Sequence, residues 1–482
     1  VFELHHLTAL EQGQWLRDGS VSPRELVQHY LDRIERLNAG VGAFTVVEGE
    51  RALDRARSLE KSSSRAAPLW GIPFADKELV PRAGQRTTFG SRLFADHVPD
   101  VDDDLVAHLD AAGAISLGAT AAPEFGLPSY TEGLLSPPAR NPWDTERGAG
   151  GSSGGAAAAV AAGLLPFAPG SDGGGSIRIP AAACGLVGVK PSRGRIAVGS
   201  GLDRLGGLVV PGPIARTVAD AALLLDALVA GPGGRGAAWP FATRAPDYDA
   251  GPFLAAAVRG EGRFQVGVMT SSPWEDFTEL TIAPEARWAL DVALDELDAL
   301  GHGLDELVPS REPEYAEHFR TLWMVSAAGI PVRSDEQLRL LEPLTAWLVN
   351  QGRALPATRL AESLAWLTGF ERRLIAQLST VDAVLTPALA LTPRPLGWYD
   401  QHDAERNFAQ QVQYTPWTSM INVAGLPAMT VPVGLTPDDV PEPGLPMGVQ
   451  LIGRPGGEAV LFSLAAQLER RLGAARLHPP LW

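Results

Sequence analysis

The residues best placed to do chemistry lie in three short segments. Lys77 closes the apolar run Pro68-Leu-Trp-Gly-Ile-Pro-Phe-Ala-Asp-Lys77, and two Gly/Ser-rich turns, Gly148 to Gly155 and Gly170 to Pro180, flank an Ala-rich helical stretch. Successive glycines let the backbone take positive φ and turn several N–H groups toward one point, a nest for an oxyanion or a phosphate. Ser176 follows the second glycine run, so a hydroxyl nucleophile and oxyanion donors would share one place, which is what acyl transfer needs. A lysine at the end of a buried strand is unusual, because lysine is rarely buried without a partner. Desolvation would bring its pKa from ~10.4 toward ~7, and a neutral amine then serves as a general base.

Competing chemistries fit less well. A phosphate loop requires G-x-x-x-x-G-K-[ST], and no glycine here is followed by Lys-Ser or Lys-Thr. No G-x-G-x-x-G follows a clear strand and opens a helix, so a dinucleotide site is not expected. The nucleophile elbow G-x-S-x-G is absent around Ser176, and the nine histidines are scattered without local context. Neither H-E-x-x-H nor a cysteine pair offers a metal site. Cys184 stands alone and reads as a small core residue. Neither a metal nor an organic cofactor is expected.

The elements that must position these residues read as α/β. Ser22-Pro-Arg-Glu25 is a capping box with Pro at the first helical position, and Leu26, Tyr30, Ile34 and Leu37 follow at helical spacing up to Asn38-Ala-Gly40. Strands are expected at 43–47, 72–75, 114–117, 264–269, 383–385, 428–433 and 448–452, and helices at 104–112, 217–229, 283–300 and 458–472. This alternation favours one α/β domain with a mixed, largely buried sheet. The Trp/Leu-rich stretch 319–374 reads either as a helical cap over a pocket or as ordinary core helices, and Gly231 to Gly236 as a flexible surface connection. Lys and Arg number 40 against 56 Asp and Glu, a net charge of −16. With no Lys/Arg run to offset it, neither nucleic acid nor an anionic membrane is an expected partner. The longest apolar stretch, Ala156 to Phe167, falls short of the ~18–20 residues that span a bilayer. The start Val1-Phe-Glu-Leu-His-His6 lacks the layout of a signal peptide, so the expectation is a soluble, cytoplasmic protein.

Gly71-Ile-Pro-Phe-Ala-Asp-Lys77, Gly150-Gly-Ser-Ser-Gly-Gly155 and Asp172-Gly-Gly-Gly-Ser-Ile-Arg-Ile-Pro180, in this order, resemble the amidase signature family of hydrolases. Arg140 to Trp143, Gly185 to Pro191, Gly212 to Asp220, Asn422 to Ala428 and Gly448 to Gln450 resemble further pieces of it, so the likeness covers roughly 4–230 and 378–470. It implies one amidase signature domain over 1–482, a twisted mixed sheet with helices on both faces. The catalytic core would occupy about 65–230 and 378–470, and a variable substrate-shaping region about 231–377. It further implies Lys77 as base, Ser152, preceded by a cis peptide bond, as bridging serine, and Ser176 as nucleophile. The N–H groups of Gly173, Gly174, Gly175 and Ser176 would form the oxyanion hole, with Ser153, Asp172 and Arg178 supporting the loop. The segment Phe125 to Tyr130 would line the acyl side of the cavity, with Gly126, Leu127 and Tyr130 as substrate contacts. Two departures are visible: Gly173 replaces a bulkier residue, and Pro128 and Tyr130 do not fit a glutaminase.

The activity so implied is hydrolysis of a small-molecule amide, or a related acyl compound such as a hydrazide, through an acyl-Ser176 intermediate, by a homodimer. The glutamine-hydrolysing chain of a tRNA-dependent amidotransferase, which would need partner chains, is the alternative. A silent binding protein on the same fold is a third, set against the presence of Lys77, Ser152 and Ser176.

Overall fold

The computed structural model describes residues 3–197, 205–230, 244–246 and 251–482. The connection expected at Gly231 to Gly236 lies outside the described residues.

An eight-stranded mixed sheet organises the chain. Its order is Gly303–Glu306, Gln265–Val268, Ala383–Pro387, Pro446–Gly453, Ala428–Leu435, Val187–Lys190, Val210–Ala215 and Phe167–Asp172. The first three strands run parallel, and every later neighbour pairs antiparallel. Strand side chains alternate between faces, and here each face has its own core. Met429, Val431, Val449 and Leu451 point into one cluster with Leu224, Ala289 and Phe462 from helices Val218–Ala230, Pro284–Ala299 and Glu458–Leu472. Ala428, Ile452 and Val384 point into another with Phe319, Phe370 and Ile421 from helices Tyr315–Ala328, Ala357–Leu378 and Ser419–Ala424. Helices therefore cover both faces.

The sequence expectations hold for most elements and miss in an instructive way for others. The capping box forms: the Glu25 N–H donates to Ser22 Oγ at 3.2 Å and the Ser22 N–H to Glu25 Oε2 at 2.8 Å. The helix it opens runs through Asn38-Ala-Gly40 to Val41 and stops at Gly42, whose φ of 65° is left-handed. Strands Phe167–Asp172, Val187–Lys190 and Val210–Ala215 were not expected, since prolines and glycines interrupt two of them. Phe167–Asp172 tolerates Pro169 because it is an edge strand, paired only with Val210–Ala215. Lys77 does not belong to the large sheet. Its strand, Pro73–Lys77, runs parallel to Ile115–Thr120 in a three-stranded sheet completed by Phe44–Val47. Helix Gly154–Ala161, buried at all eight residues, packs between the two sheets. Stretch 319–374 matches both readings: Phe319 and Phe370 are core, while Trp323, Val325 and Ala327 face a cavity.

Among the described residues no helix is long and apolar enough to cross a membrane.

Candidate active site

Two sheets meet at the lysine. Lys77 is the last residue of its strand and 1% exposed. Its Nζ donates to Ser152 Oγ at 2.8 Å, to Ser171 Oγ at 3.0 Å and to the Ser171 carbonyl at 3.3 Å. Burial pushes its pKa down to about 7, against the pull of the Asp172 carboxylate in the other direction. Three acceptors on one nitrogen satisfy an ammonium, and a neutral amine can also accept from a hydroxyl. The same geometry therefore serves both protonation states.

Ser152 follows a cis peptide bond at Gly151. It leads directly into helix Gly154–Ala161. Ser152 and Ser176 line one cavity of about 540 Å³, together with Gly126, Leu127, Gly173 and Trp323. Glycine is required at 126: its φ is +68°, and a Cβ there would meet Leu79 Cδ1 at 2.6 Å and Ser152 Oγ at 3.2 Å. Ser153 is buried, and its N–H donates to the Ser176 carbonyl at 3.1 Å, which ties the two serine turns together.

The turn bearing Ser176 is held by a wholly buried ion pair. Arg178 donates to both carboxylate oxygens of Asp172 at 2.9 Å, to Gln450 Oε1 at 2.7 Å, to Asn422 Oδ1 at 2.6 Å and to the Thr418 carbonyl at 3.1 Å. Burial alone would raise the Asp172 carboxyl. The Arg178 guanidinium and its hydrogen bonds, with Lys190 and Asn422, hold it well below the usual carboxylate range. Asp172 also accepts from the N–H of Gly175 at 2.7 Å and of Ile177 at 3.2 Å. Thr418 Oγ1 donates to the Gly174 carbonyl at 2.6 Å. Gly175 must be glycine here, because at φ +127° a Cβ would meet Thr418 Oγ1 at 2.6 Å.

A second, smaller space of about 60 Å³ also reaches Ser176. Gly174, Trp274, Phe319, Phe408 and Thr418 line it, and Trp323 and Leu127 border both spaces. No Arg, Lys or His is among the described residues lining either one.

A family model described as Amidase matches residues 25–462. The chain belongs to the amidase signature family. It is 38% identical over 468 residues to AmiB2 of Mycobacterium tuberculosis, which bears an amidase name, covering 96% of this chain and 95% of that protein. It is also 33% identical over 514 residues to one chain, the A component, of the glutamyl-tRNA(Gln) amidotransferase of Moorella thermoacetica, covering 99% of each. Among solved structures it resembles 6-aminohexanoate cyclic dimer hydrolase bound to its substrate, with a TM-score of 0.88 and 28% identity over 99% of this chain and all of that one. The enzyme is thus a hydrolase of amide bonds.

Two expectations for this amidase signature enzyme change in the structure. Gly175 does not offer its N–H to an oxyanion, because that hydrogen is already donated to Asp172. The N–H groups of Gly173, Gly174 and Ser176 make no hydrogen bond to any described residue, so three donors remain of the four expected. Tyr130 does not line either space. Its ring is buried and stacks on Tyr399 at 4.0 Å, with its hydroxyl accepting from Asn407 and Gln401. Gly126 and Leu127 do line the cavity.

Sequence reasoning missed Ser171, the second hydroxyl on Lys77, and the trio Thr418, Asn422 and Gln450 around the ion pair. Asn422 and Gln450 sit inside segments that carry the family resemblance, so their presence was visible while their task was not. Cys184 is buried with its thiol pushed well above the usual range by desolvation, as suits a core residue.

Proposed function

We propose that the enzyme hydrolyses uncharged amides through a Ser176–Ser152–Lys77 relay. Neutral Lys77 takes the Ser152 proton as Ser152 takes that of Ser176, and Ser176 Oγ attacks the carbonyl carbon. The N–H groups of Gly173, Gly174 and Ser176 meet the developing oxyanion; removal of one such donor typically costs about 3 kcal/mol of barrier. The Lys77 ammonium returns its proton through Ser152 to the leaving nitrogen, and the amine departs. Water, activated by the same relay, then releases the acid from Ser176. Ser153, Asp172 and Arg178 act as positioning residues.

The observation that carries this reading is the 2.8 Å contact from a buried Lys77 Nζ to Ser152 Oγ at the wall of the cavity that Ser176 also lines. A group with pKa near the working pH is the efficient general base, and burial supplies that here. The kinship with an amidotransferase component supports a second reading, glutamine hydrolysis for a partner chain. Glutamine carries a carboxylate and an ammonium, and neither space offers an Arg, Lys or His to meet the former. Amine release from a panel of neutral amides and hydrazides, with fluorophosphonate labelling, tests the proposal. Turnover and label are expected in the wild type and lost in Ser176→Ala. Retained turnover in that variant overturns the assignment.

A further inference from the structure

Two unequal spaces converge on Ser176, and one indole separates them. Trp323, on helix Tyr315–Ala328, borders both the cavity of about 540 Å³ and the slot of about 60 Å³. Its ring is stacked on Phe319 with centroids 5.5 Å apart, which props it from the slot side. Gly173, from the large-cavity side, and Gly174, from the slot, stand against the same ring. A Cβ on either would lie 3.8 Å from the Trp323 ring, in van der Waals contact, and one on Gly173 would also press Val209 Cγ2 at 3.1 Å. Val209 thus closes against the Ser176 turn on the large-cavity side, where a side chain at 173 would not fit without pushing it aside.

The two spaces differ in which reacting groups they contain. Ser152 and Ser171 border only the large cavity, whereas Gly174 and Thr418 border only the slot. In amide cleavage the leaving nitrogen must receive a proton, and on the relay reading that proton comes from Ser152. The nitrogen and its substituent must therefore face the space that holds Ser152. The acyl substituent, on the opposite side of the carbonyl, is left with the slot, which Leu127, Pro128 and Ser129 of the segment expected on the acyl side line, whereas Phe125 and Gly126 of that segment face the leaving-group space. Size then sets its limit. One water needs about 10–15 Å³ on this measure, so the slot takes on the order of four to six non-hydrogen atoms. The large cavity is walled mostly by apolar side chains such as Leu79, Val80, Leu208 and Ile330, with Asp103 the one acidic residue among its described lining, and suits an extended, largely apolar group.

We infer that the enzyme is specific for amides joining a short acyl group to a large apolar amine, with Trp323 as the wall that sets this polarity. The inference rests on the relay assigned above. It places Trp323 as a specificity-determining residue.

A pair of isomers tests it: N-octylacetamide and N-methylnonanamide have the same atoms with the amide reversed. The acetamide is expected to show the higher kcat/KM by on the order of tenfold to a hundredfold, the scale on which a pocket rejects excess methylene groups. Trp323→Ala opens the slot into the cavity and is expected to collapse that ratio, while Trp323→Phe retains most of it. Along the series of N-octyl amides, kcat/KM is expected to fall once the acyl chain exceeds the slot. A preference for N-methylnonanamide, or a ratio unmoved in Trp323→Ala, overturns the inference and leaves the amidase reading standing. Fluorophosphonate labelling of Ser176 without turnover of either isomer also overturns it. Wild-type enzyme that neither labels nor turns over any amide overturns the relay itself, and this inference with it.

Discussion

Lys77 and Lys190 form an unplanned control experiment within one molecule. Each is the last residue of a strand, each is essentially unexposed, and burial lowers each pKa to about 7. Their surroundings differ. Lys77 Nζ meets the hydroxyls of Ser152 and Ser171 at the edge of a cavity. Lys190 Nζ donates to the carbonyl of Pro191, its neighbour in the chain, at 3.0 Å. A depressed pKa therefore marks burial rather than catalysis. A base also needs a proton to take, and only Lys77 has a hydroxyl between itself and open space.

The largest expected difference between the two is in turnover. Lys77→Ala is expected to lose kcat by on the order of 10⁴, the upper range for a general base, whereas Lys190→Met stays within about tenfold. Steady-state kinetics on a neutral amide decides it, and comparable losses in both variants would erase the distinction drawn here.

Asp172 is the one carboxylate whose charge acts on both lysines. Asp172→Asn leaves the Arg178 guanidinium buried without its counter-charge, an arrangement that typically costs about 3–5 kcal/mol. Urea unfolding is expected to show that loss. In any folded fraction both lysines should titrate lower, since the attraction that raises them is gone.

The pH dependence separates the lysines again. Lys77 must be neutral to accept a proton, so kcat/KM is expected to rise with pH and reach half its plateau at about pH 7. Ser171→Ala removes an acceptor that favours the ammonium, and that midpoint should fall by less than about one pH unit. Lys190→Met should leave it in place.

The last difference lies in how stability depends on pH. Each lysine sheds its proton at about pH 7 when folded and at ~10.4 when unfolded. Between these values the unfolded chain holds one more proton per lysine, so stability rises with pH through that window and the slope disappears below it. Lys190→Met should remove one proton from the slope, read as a flatter dependence of the urea midpoint between about pH 7 and 10. An unchanged slope would mean that Lys190 keeps its proton in the fold.

How much of this was legible beforehand follows the range of the interactions. The helix opened by Ser22 and Glu25 could be read because its signal lies within four residues. Its end could not, because Asn38-Ala-Gly40 resembles a stop and the chain turns only at Gly42. Lys77 and Ser176 stood out by residue type and glycine context, and Ser152 by the family resemblance. The strand Phe167–Asp172 hid behind Pro169 and Gly170, since its edge position is a property of the assembled sheet. Tyr130 was expected at the substrate because the resemblance puts the segment Phe125 to Tyr130 at the cavity. Its ring instead turns to Tyr399, a partner 269 positions away in the sequence that no local pattern announces. Gly175 was counted among the oxyanion donors on the same resemblance, and only the fold shows that Asp172 has taken its N–H.

The clasp around Arg178 also imposes an order of events on a ribosome. Thr418, Asn422 and Gln450 complete the setting of the Ser176 turn, made some 240 residues earlier. Until those residues emerge, Arg178 has only Asp172 of its clasp, and the Ser176 turn lacks its distant anchor. We therefore expect a nascent chain ending before Thr418 to resist fluorophosphonate labelling and the full chain to accept it. Labelling of the shorter chain would show that the clasp is dispensable. A hydrolase assembled this way is expected to stay silent during its own synthesis.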